Sequence, residues 1–484
     1  MPTFCYTTRL LVREEQIPIL EKRFRIGQHM YNVMVKEAIR RMNKYKNDKR
    51  YRTIMKLCVA EKRKTTKEEK QILKDLLREC GLSKFDFYKY IGVNQKQYKK
   101  NINVTIARSI AGNVWSGTEK ILFDDGKTLH FKKFREFTSL SGQTNTQGIR
   151  FKGDKVLWQG LELKVYIPTN AYAQECLEHK VKYCRILRWT KKGKPQYRLQ
   201  LVLDGIPPHR EIAPGKVGID IGTSTIAIAS SNGVLFKELG EGIYKIDDEI
   251  KRLTRIVEHK RRLNNPDNFN EDGTIRKNTK NFKKVWHNSK AYLRARAQLH
   301  DMYQNRARRL EESHNRLANE ILTYGSDIYV EGMEFKGLQK RAKKTEISEK
   351  TGKYKRKKRF GKTLKDHAPS KALSIIDRKL HYHGLELHEI DTKAVKASQF
   401  NHITGEYKKK SLSTRWAQLD EETRIQRDLY SAFLIGHVNK DLKTIDIDAC
   451  NRDFNEFQEM HDALITKLQS EPKVRPSSMG LTLL

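Results

Sequence analysis

The stretch KVGIDIGTSTIAIASSNGVLFK, residues 216–237, combines short apolar runs with turn residues. KVGIDIG is typical of a buried strand, and TIAIAS, Ser-Asn-Gly and VLFK together predict a hairpin with an Asn-Gly turn. Asp220 lies inside the first run, between Ile219 and Ile221. Burying an ionised carboxylate without a partner is unfavourable, and a divalent cation would be a suitable partner. For a lone aspartate, a salt bridge or a turn is the ordinary explanation.

Two further acidic residues lie downstream in similar settings. Glu331 ends the apolar run DIYVEG, and Asp428 opens an amphipathic helix in IQRDLYSAFLIGHV. An acid at a helix start is ordinarily explained by the helix dipole. The order of the three acids is more informative than any one of them. It runs from a strand aspartate before a hairpin, through a strand glutamate after a long helix (290–324), to an aspartate at a helix start. This order is the layout of an RNase H-like nuclease. Such a site holds two Mg²⁺ or Mn²⁺ ions about 4 Å apart, which activate a water and stabilise the leaving 3′ oxygen.

The remaining sequence changes character along the chain. Residues 4–12 predict a strand, and the charged stretch that follows, to about residue 127, predicts helices. Between 128 and 205 short strands prevail, including a hairpin over 181–203, and we expect a small β-barrel or sandwich. The proline-rich stretch 206–216 is a linker. Strands alternating with long helices beyond it predict an α/β core.

The charge of the chain indicates its partner. Lys and Arg number 97 against 58 Asp and Glu, a formal net charge of +39. A compact protein with this charge is expected to bind a polyanion, and a long nucleic acid fits better than the roles of ribosomal or secreted basic proteins. Two basic stretches, 263–284 and 340–366, are predicted to be loops that contact phosphates. Within and near the active-site segments, the predicted nucleic-acid contacts are Lys340, Arg341, Lys343, Lys344 and Arg427.

Cysteine usage and the chain start indicate the compartment. The six cysteines are scattered without a CxxC pair, which argues against a disulfide framework and a zinc ribbon. The first residues lack the apolar core of a signal peptide, and no run reaches the length of a membrane span. We therefore expect a protein of the reducing cytoplasm. His314 falls on the apolar stripe of the 290–324 helix and is expected to be structural.

Three segments resemble the nuclease motifs of the TnpB family. GKVGIDIGTSTIAIASSNG is similar to its first RuvC motif, SDIYVEGMEFKGLQKR to its second and RDLYSAFLIG to its third. The opening YTTRLLVREEQIPILEKRF and the segment LHYHGLELHEIDTKAVKASQF also resemble family sequence. The resemblance implies an RNA-guided DNA endonuclease, with Asp220, Glu331 and Asp428 as metal ligands. It would use a guide RNA to open double-stranded DNA beside a short flanking motif and cut it in one RuvC site.

The resemblance also implies a domain organisation. The expected fold class is multidomain α/β, with a RuvC (RNase H-like) nuclease core, a helical recognition lobe and a small β-barrel wedge domain. A tail, expected to be loosely ordered, would end the chain. The expected ranges are 1–12 and 128–205 for the wedge, 13–127 for the recognition lobe, 212–394 and 425–445 for RuvC, 395–424 for a target-nucleic-acid-binding insert and 446–484 for the tail.

The insert departs from the family pattern. The family carries a CxxC…CxxC zinc ribbon here, whereas Asn401, Thr404, Gln418 and Glu421 fall near the expected cysteine positions. His402 has no sulfur partner, so no zinc is expected and a metal-free loop is predicted. His381, His383 and His388 are expected to be surface and strand residues rather than ligands.

Several alternatives are compatible with the sequence. A guide-RNA-directed DNA-binding protein or repressor without cleavage is the main alternative, kept by the altered ribbon but disfavoured by the intact acids. A DDE-like transposase is disfavoured by the wedge-like block. Transposon and CRISPR origin cannot be separated, and a monomer or a homodimer on one RNA would both be compatible. The expected location is the prokaryotic cytoplasm, with association with the nucleoid through DNA.

Overall fold

The computed structural model of the protein describes residues 2–191, 193–208, 212–279, 281–341, 345–347, 352, 360–409, 411, 414–471 and 475–481. The chain forms two compact units, Met1–Pro208 and His209–Leu484. The boundary falls in the stretch predicted to be a linker. The fold is mixed α/β.

The helices of the first unit follow from local sequence signals. Several begin at a side chain that accepts a hydrogen bond from the first turn: Thr66, which with Glu69 forms a capping box, Ser83 and Asn103. Leu20 and Phe24 are fully buried on one face of the first helix. The helices predicted between the opening strand and residue 127 are confirmed. The helices are α1 (Ile17–Asn47), α2 (Lys49–Ala60), α3 (Lys67–Glu79), α4 (Lys84–Gln95), α5 (Val104–Phe123) and α6 (Ala171–Glu178).

The strands of the first unit form one antiparallel, nearly closed sheet. They are β1 (Thr3–Leu11), β2 (Ser139–Ser141), β3 (Ile149–Lys152), β4 (Lys155–Trp158), β5 (Leu161–Val165), β6 (Val181–Lys191) and β7 (Lys194–Asp204). The order is β2-β6-β7-β1-β5-β4-β3, so the opening strand joins the β6–β7 hairpin to the β3–β5 meander. Strand β1 alternates buried and exposed residues. The predicted strands and hairpin, and the barrel-like sheet, are confirmed.

A five-stranded mixed sheet organises the second unit. Its strands are β8 (Lys216–Ile221), β9 (Thr225–Ser230), β10 (Gly233–Glu238), β11 (Asp327–Glu331) and β12 (Leu387–Ile390), and a short pair follows, β13 (Trp416–Gln418) and β14 (Arg424–Gln426). The order β10-β9-β8-β11-β12 places β8 in the centre. β8, β9 and β10 pair antiparallel, whereas β11 runs parallel to both β8 and β12. The predicted hairpin is present, but its two turn residues are Ser231 and Asn232 rather than Asn-Gly. Gly233 is the first residue of β10 and adopts a φ of +142°, which favours glycine.

Helices cover both faces of this sheet. The helices of the second unit are α7 (Tyr244–Leu263), α8 (Lys290–Ile321), α9 (Phe335–Leu338), α10 (Gly361–His367), α11 (Pro369–Tyr382), α12 (Thr392–Val395), α13 (Arg427–Gly436) and α14 (Ile447–Ser470). Val217, Ile219 and Ile221 point into a core shared with α8 and α11. The opposite face packs Ala227, Ala229 and other apolar side chains against α13 and α14. Because successive strand residues alternate, Gly218 and Asp220 face the α13 side.

The expectation of a loosely ordered tail is wrong for residues 447–470. Helix α14 begins with the Asp446 side chain accepting a hydrogen bond from Ala449 N–H at 3.0 Å. Its buried residues recur every three or four positions and include Cys450, Phe454 and Phe457. This spacing buries one face of α14 in the same core as α13, and that contact orders the helix.

Candidate active site

The three acidic residues meet at one edge of the five-stranded sheet. Asp220 lies near the end of the central strand β8 and keeps partial solvent access. Glu331 is the last residue of β11. The parallel register pairs Val330 with Ile219, so one position further along Glu331 lies beside Asp220 and on the same face.

Asp428 reaches this edge because α13 packs directly on β8. A Cβ atom at Gly218 would lie 1.9 Å from the Ala432 carbonyl oxygen and 2.3 Å from Gly436 N, so only glycine permits this approach. Asp428 is the second residue of α13, whose start is capped by the Gln426 side chain accepting from Leu429 N–H at 2.9 Å. Gly218 thereby determines how close Asp428 comes to Asp220.

The site carries more negative than positive charge. The pKa of Asp220 is raised well above its ordinary value, first by burial and then by the charges of Asp428 and Glu331; Arg427 acts in the opposite direction. Burial also raises the pKa of Glu331. Paired carboxylates in a buried position are unfavourable without a compensating cation. The electrostatics of the site therefore suit a bound cation.

Arg427 supplies part of that compensation. Its Nη2 and Nε lie 3.0 and 3.2 Å from Asp428 Oδ1. Its Nη1 donates to the carbonyl oxygens of Thr414 at 2.9 Å and Ser411 at 3.4 Å, and the side chain is 12% exposed. The sequence predicted a nucleic-acid contact for this residue. In the structure its guanidinium joins Asp428 to the insert, a role that no sequence pattern indicated.

The donor chemistry of the three acids matches Mg²⁺, but their present geometry is not that of a complete metal site. Carboxylate oxygens are the ligands that this hard cation takes. Among the residues that the structure describes, no group of three or more His, Cys, Asp or Glu side chains is arranged to hold one metal ion. Asp220, Glu331 and Asp428 are therefore neighbours whose assignment as metal ligands remains a prediction.

The insert is held by hydrogen bonds at the positions where a zinc ribbon would carry its ligands. The Asn401 side chain donates from Nδ2 to the Leu419 carbonyl at 2.8 Å and so links the two loops directly. Gln418 Nε2 donates to the carbonyls of Asp420 at 2.9 Å and Glu421 at 3.4 Å. Amide groups thus stand at two of the four positions where the family's zinc-binding cysteines would be expected, and the metal-free insert stays a prediction.

A buried histidine fixes the insert to the helix that carries Asp428. The Tyr430 hydroxyl accepts from the His402 backbone N–H at 3.0 Å and lies 2.7 Å from its Nδ1. His402 also packs on the Phe454 ring, with centroids 4.6 Å apart. Burial lowers the pKa of His402 to about 4, so the imidazole is neutral at physiological pH. This histidine is structural.

The remaining predicted site residues lie nearby or outside the described part of the chain. Lys340 and Arg341 are exposed and follow α9, on the segment that continues from Glu331. Lys343 and Lys344 lie outside the described residues. His314 is 1% exposed within α8, as expected of a structural residue, and burial lowers its pKa to about 4. His388 lies on β12, as predicted, and its Nε2 is 3.2 Å from Asp327.

Two negative findings concern the described residues as a whole. All six cysteines are free thiols, and four of them are buried. No helix in the described part of the chain is long and apolar enough to cross a membrane.

Comparison with known proteins gives weak structural likeness only. No known family and no curated protein matches the chain. The fold is similar to a cryo-EM structure of a Cas12f1–sgRNA–target DNA complex, with 13% identity and a TM-score of 0.45 over 91% of this chain and 99% of the other. A CRISPR-Cas12f ternary complex gives 13% identity and a TM-score of 0.29, with 90% and 83% covered.

Proposed function

We propose that this protein is an RNA-guided DNA endonuclease with a single metal-dependent active site at Asp220, Glu331 and Asp428. The observation that carries the proposal is the meeting of these three acids at one sheet edge, where burial and mutual repulsion raise the pKa of Asp220. A structural ion pair would be expected to lower that pKa instead. Retaining three carboxylates in such an environment is best explained by a bound divalent cation.

The chain's residues divide the work of this site. Asp220 and Glu331 extend from adjacent parallel strands of fixed register, which holds their carboxylates close together. Asp428 adds its carboxylate from α13, and Arg427 orients it through the bonds to Oδ1. When bound, two Mg²⁺ or Mn²⁺ ions would supply an activated water and stabilise the leaving oxygen of a phosphodiester.

Guide RNA and target DNA are the partners that the rest of the chain favours. The net charge of +39 requires an extensive polyanion, and the three RuvC-like segments resemble a family that uses guide RNA. A polar cleft of about 570 Å³ in the first unit supports this proposal, since Lys84, Lys132 and Arg185 line it together with Tyr31 and Tyr183. Cationic and aromatic side chains in one cleft suit nucleic acid.

A guide-directed DNA binder that does not cut is the second candidate. It is favoured by one observation, namely that Asp428 is engaged by Arg427 while no complete metal-binding group is present in the described residues. In that case the acids would retain a structural role only. The two candidates share their partners and differ only in cleavage.

One experiment separates these candidates. The protein is expressed with its native flanking DNA, the co-purifying RNA is sequenced, and the complex is incubated with matching duplex and Mg²⁺. Guide-dependent cutting supports the endonuclease, and the map position of the RNA distinguishes transposon from CRISPR origin. A discrete RNA with tight duplex binding but no cutting would support the binder. Absence of any discrete RNA would contradict both.

A further inference from the structure

The described residues between α7 and α8, 264–279 and 281–289, form an ordered structure rather than a loose loop; we call this segment the 264–289 tip. Asn265 holds both sides together, since its Nδ2 donates to the His287 carbonyl at 2.9 Å and its Oδ1 accepts from His287 N–H at 2.6 Å. Asn268 Nδ2 donates to the Val285 carbonyl at 2.6 Å. Both asparagines are about 95% buried. The stretch 263–284, which the sequence predicted to be a loop, is therefore packed at its base.

Three arginines of the tip and the adjoining end of α7 lie over aromatic rings. The guanidinium carbon of Arg261 is 4.0 Å from the centroid of the Trp286 ring. Arg262 lies over Phe269 at 5.6 Å, and Arg276 over Phe282 at 4.2 Å. The Phe269 and Trp286 rings contact each other edge to face, with centroids 5.9 Å apart. Stacking on a ring limits the freedom of each guanidinium while leaving its charge available.

The charge of this region is strongly one-sided. Residues 260–290 contain nine Lys or Arg and three Asp or Glu. None of the ion pairs found among the described residues involves this range. By contrast, the first half of α7 pairs Lys251 with Asp248 and Arg252 with Glu249. A run of basic residues is ordinarily a solvated surface. Here the hydrogen bonds of Asn265 and Asn268 and the arginine–aromatic stacks hold the cations in a defined arrangement. A surface that is only solvated does not need such an arrangement.

We propose that the 264–289 tip is a binding surface for single-stranded nucleic acid. Proteins that bind unpaired strands combine cations that follow the backbone with flat surfaces on which bases stack. The arginine–aromatic stacks provide such flat surfaces, and Lys277 and Lys283 are exposed beside them. An acidic protein would use the charge but has no need for the stacks, so nucleic acid is the favoured partner. The inference rests on the proposed nucleic-acid function, and the strand can be RNA or unpaired DNA.

The test compares two triple variants of the full chain that remove equal charge. The tip variant carries Arg276→Gln, Lys277→Gln and Lys283→Gln; the control carries the same change at Lys440, Lys443 and Lys467, which are also exposed. Binding of labelled single-stranded RNA, single-stranded DNA and duplex DNA of one length is measured by fluorescence anisotropy over a salt series. Each lost single-strand phosphate contact flattens the plot of log K against log salt by about 0.7, so the tip variant should lose about 2.

The outcomes assign the strand or overturn the proposal. If the salt slope of the tip variant is flatter with RNA alone, the occupant is RNA. If it is flatter with single-stranded DNA alone, the occupant is an unpaired DNA strand. A flatter slope with both shows that the tip recognises the chemistry that the two strands share. The proposal would be overturned if the tip and control variants lost the same amount of salt slope, if the tip variant lost slope only with duplex DNA, or if no slope changed. Because binding is measured without cutting, failure of the endonuclease proposal leaves this result interpretable. A separate variant, Trp286→Leu, should weaken single-strand binding without changing the salt slope.

Discussion

At the scale of single residues, Asp220 shows what the sequence could and could not reveal. Its apolar neighbours predict a buried carboxylate, and the structure confirms the strand and its register with Glu331. Arg427 was predicted to contact nucleic acid. The direction of its side chain could not be predicted, because it depends on the carbonyls of Thr414 and Ser411, which are distant in the sequence. Gly218 carried a usable signal, since a glycine inside a strand often marks a close backbone approach.

The charge excess at the site predicts a trade-off between stability and activity. Replacing Asp220 by Asn removes a carboxylate whose ionised form is disfavoured by burial and by Asp428. In metal-free protein the Asp220→Asn variant should therefore be more stable than wild type, by about 1–2 kcal/mol in urea unfolding. A loss of stability on this substitution would mean that the carboxylate is a structural partner.

At the scale of elements, the strands and long helices were predictable, and two features were not. The insert and the 264–289 tip are held by asparagine and tyrosine hydrogen bonds that have no sequence period. Helix α14 had a readable signal, the Asp446 cap followed by Cys450, Phe454 and Phe457 at helical spacing. The prediction of a loosely ordered tail did not take this spacing into account.

The Tyr430 hydroxyl group provides one of the attachments of the insert to α13. The Tyr430→Phe variant should lose about 1–3 kcal/mol of stability, because it leaves the buried N–H and Nδ1 of His402 without their partner. Urea unfolding and limited proteolysis of the insert measure the effect. Tyr329→Phe is the matched control, since its hydroxyl makes a single 3.3 Å contact with Asp327. Equal behaviour of both variants would argue against this attachment.

The hydrogen bonds of Asn401 and Gln418 predict an insert without zinc. Metal analysis of purified protein should show less than a tenth of an equivalent, roughly the background of adventitious binding. Treatment with a chelator should leave the unfolding midpoint unchanged. One full equivalent of zinc, lost together with stability on chelation, would contradict this reading of residues 395–424.

At the scale of the whole molecule, three buried histidines make the second unit sensitive to acid. Burial lowers the pKa of His314 and His402 to about 4, and also lowers that of His461. The unfolded chain takes up these protons near pH 6.5, so stability falls as the pH drops from about 6.5 towards 4. The raised pKa values of Asp220 and Glu331 act in the opposite sense, because the folded state then binds protons more readily than the unfolded chain.

The contribution of one histidine can be isolated. Between pH 6.5 and 5, a histidine with a folded pKa near 4 removes about 2 kcal/mol of stability. The His314→Leu variant should therefore lose about 2 kcal/mol less than wild type over this interval in urea unfolding. An identical pH dependence for wild type and His314→Leu would contradict the assignment.

The central claim is that Asp220 belongs to a metal-dependent nuclease site, and the most direct test is cleavage of matched duplex by the RNA-bound protein. Wild type, Asp220→Asn and Asp327→Asn are compared with and without Mg²⁺; Asp327 lies at the opposite end of the strand that carries Glu331. We predict Mg²⁺-dependent cutting by wild type and Asp327→Asn, and a rate lower by at least about 100-fold for Asp220→Asn with duplex binding retained. Cutting by Asp220→Asn at the wild-type rate, or cutting that persists in a chelator, would contradict the claim.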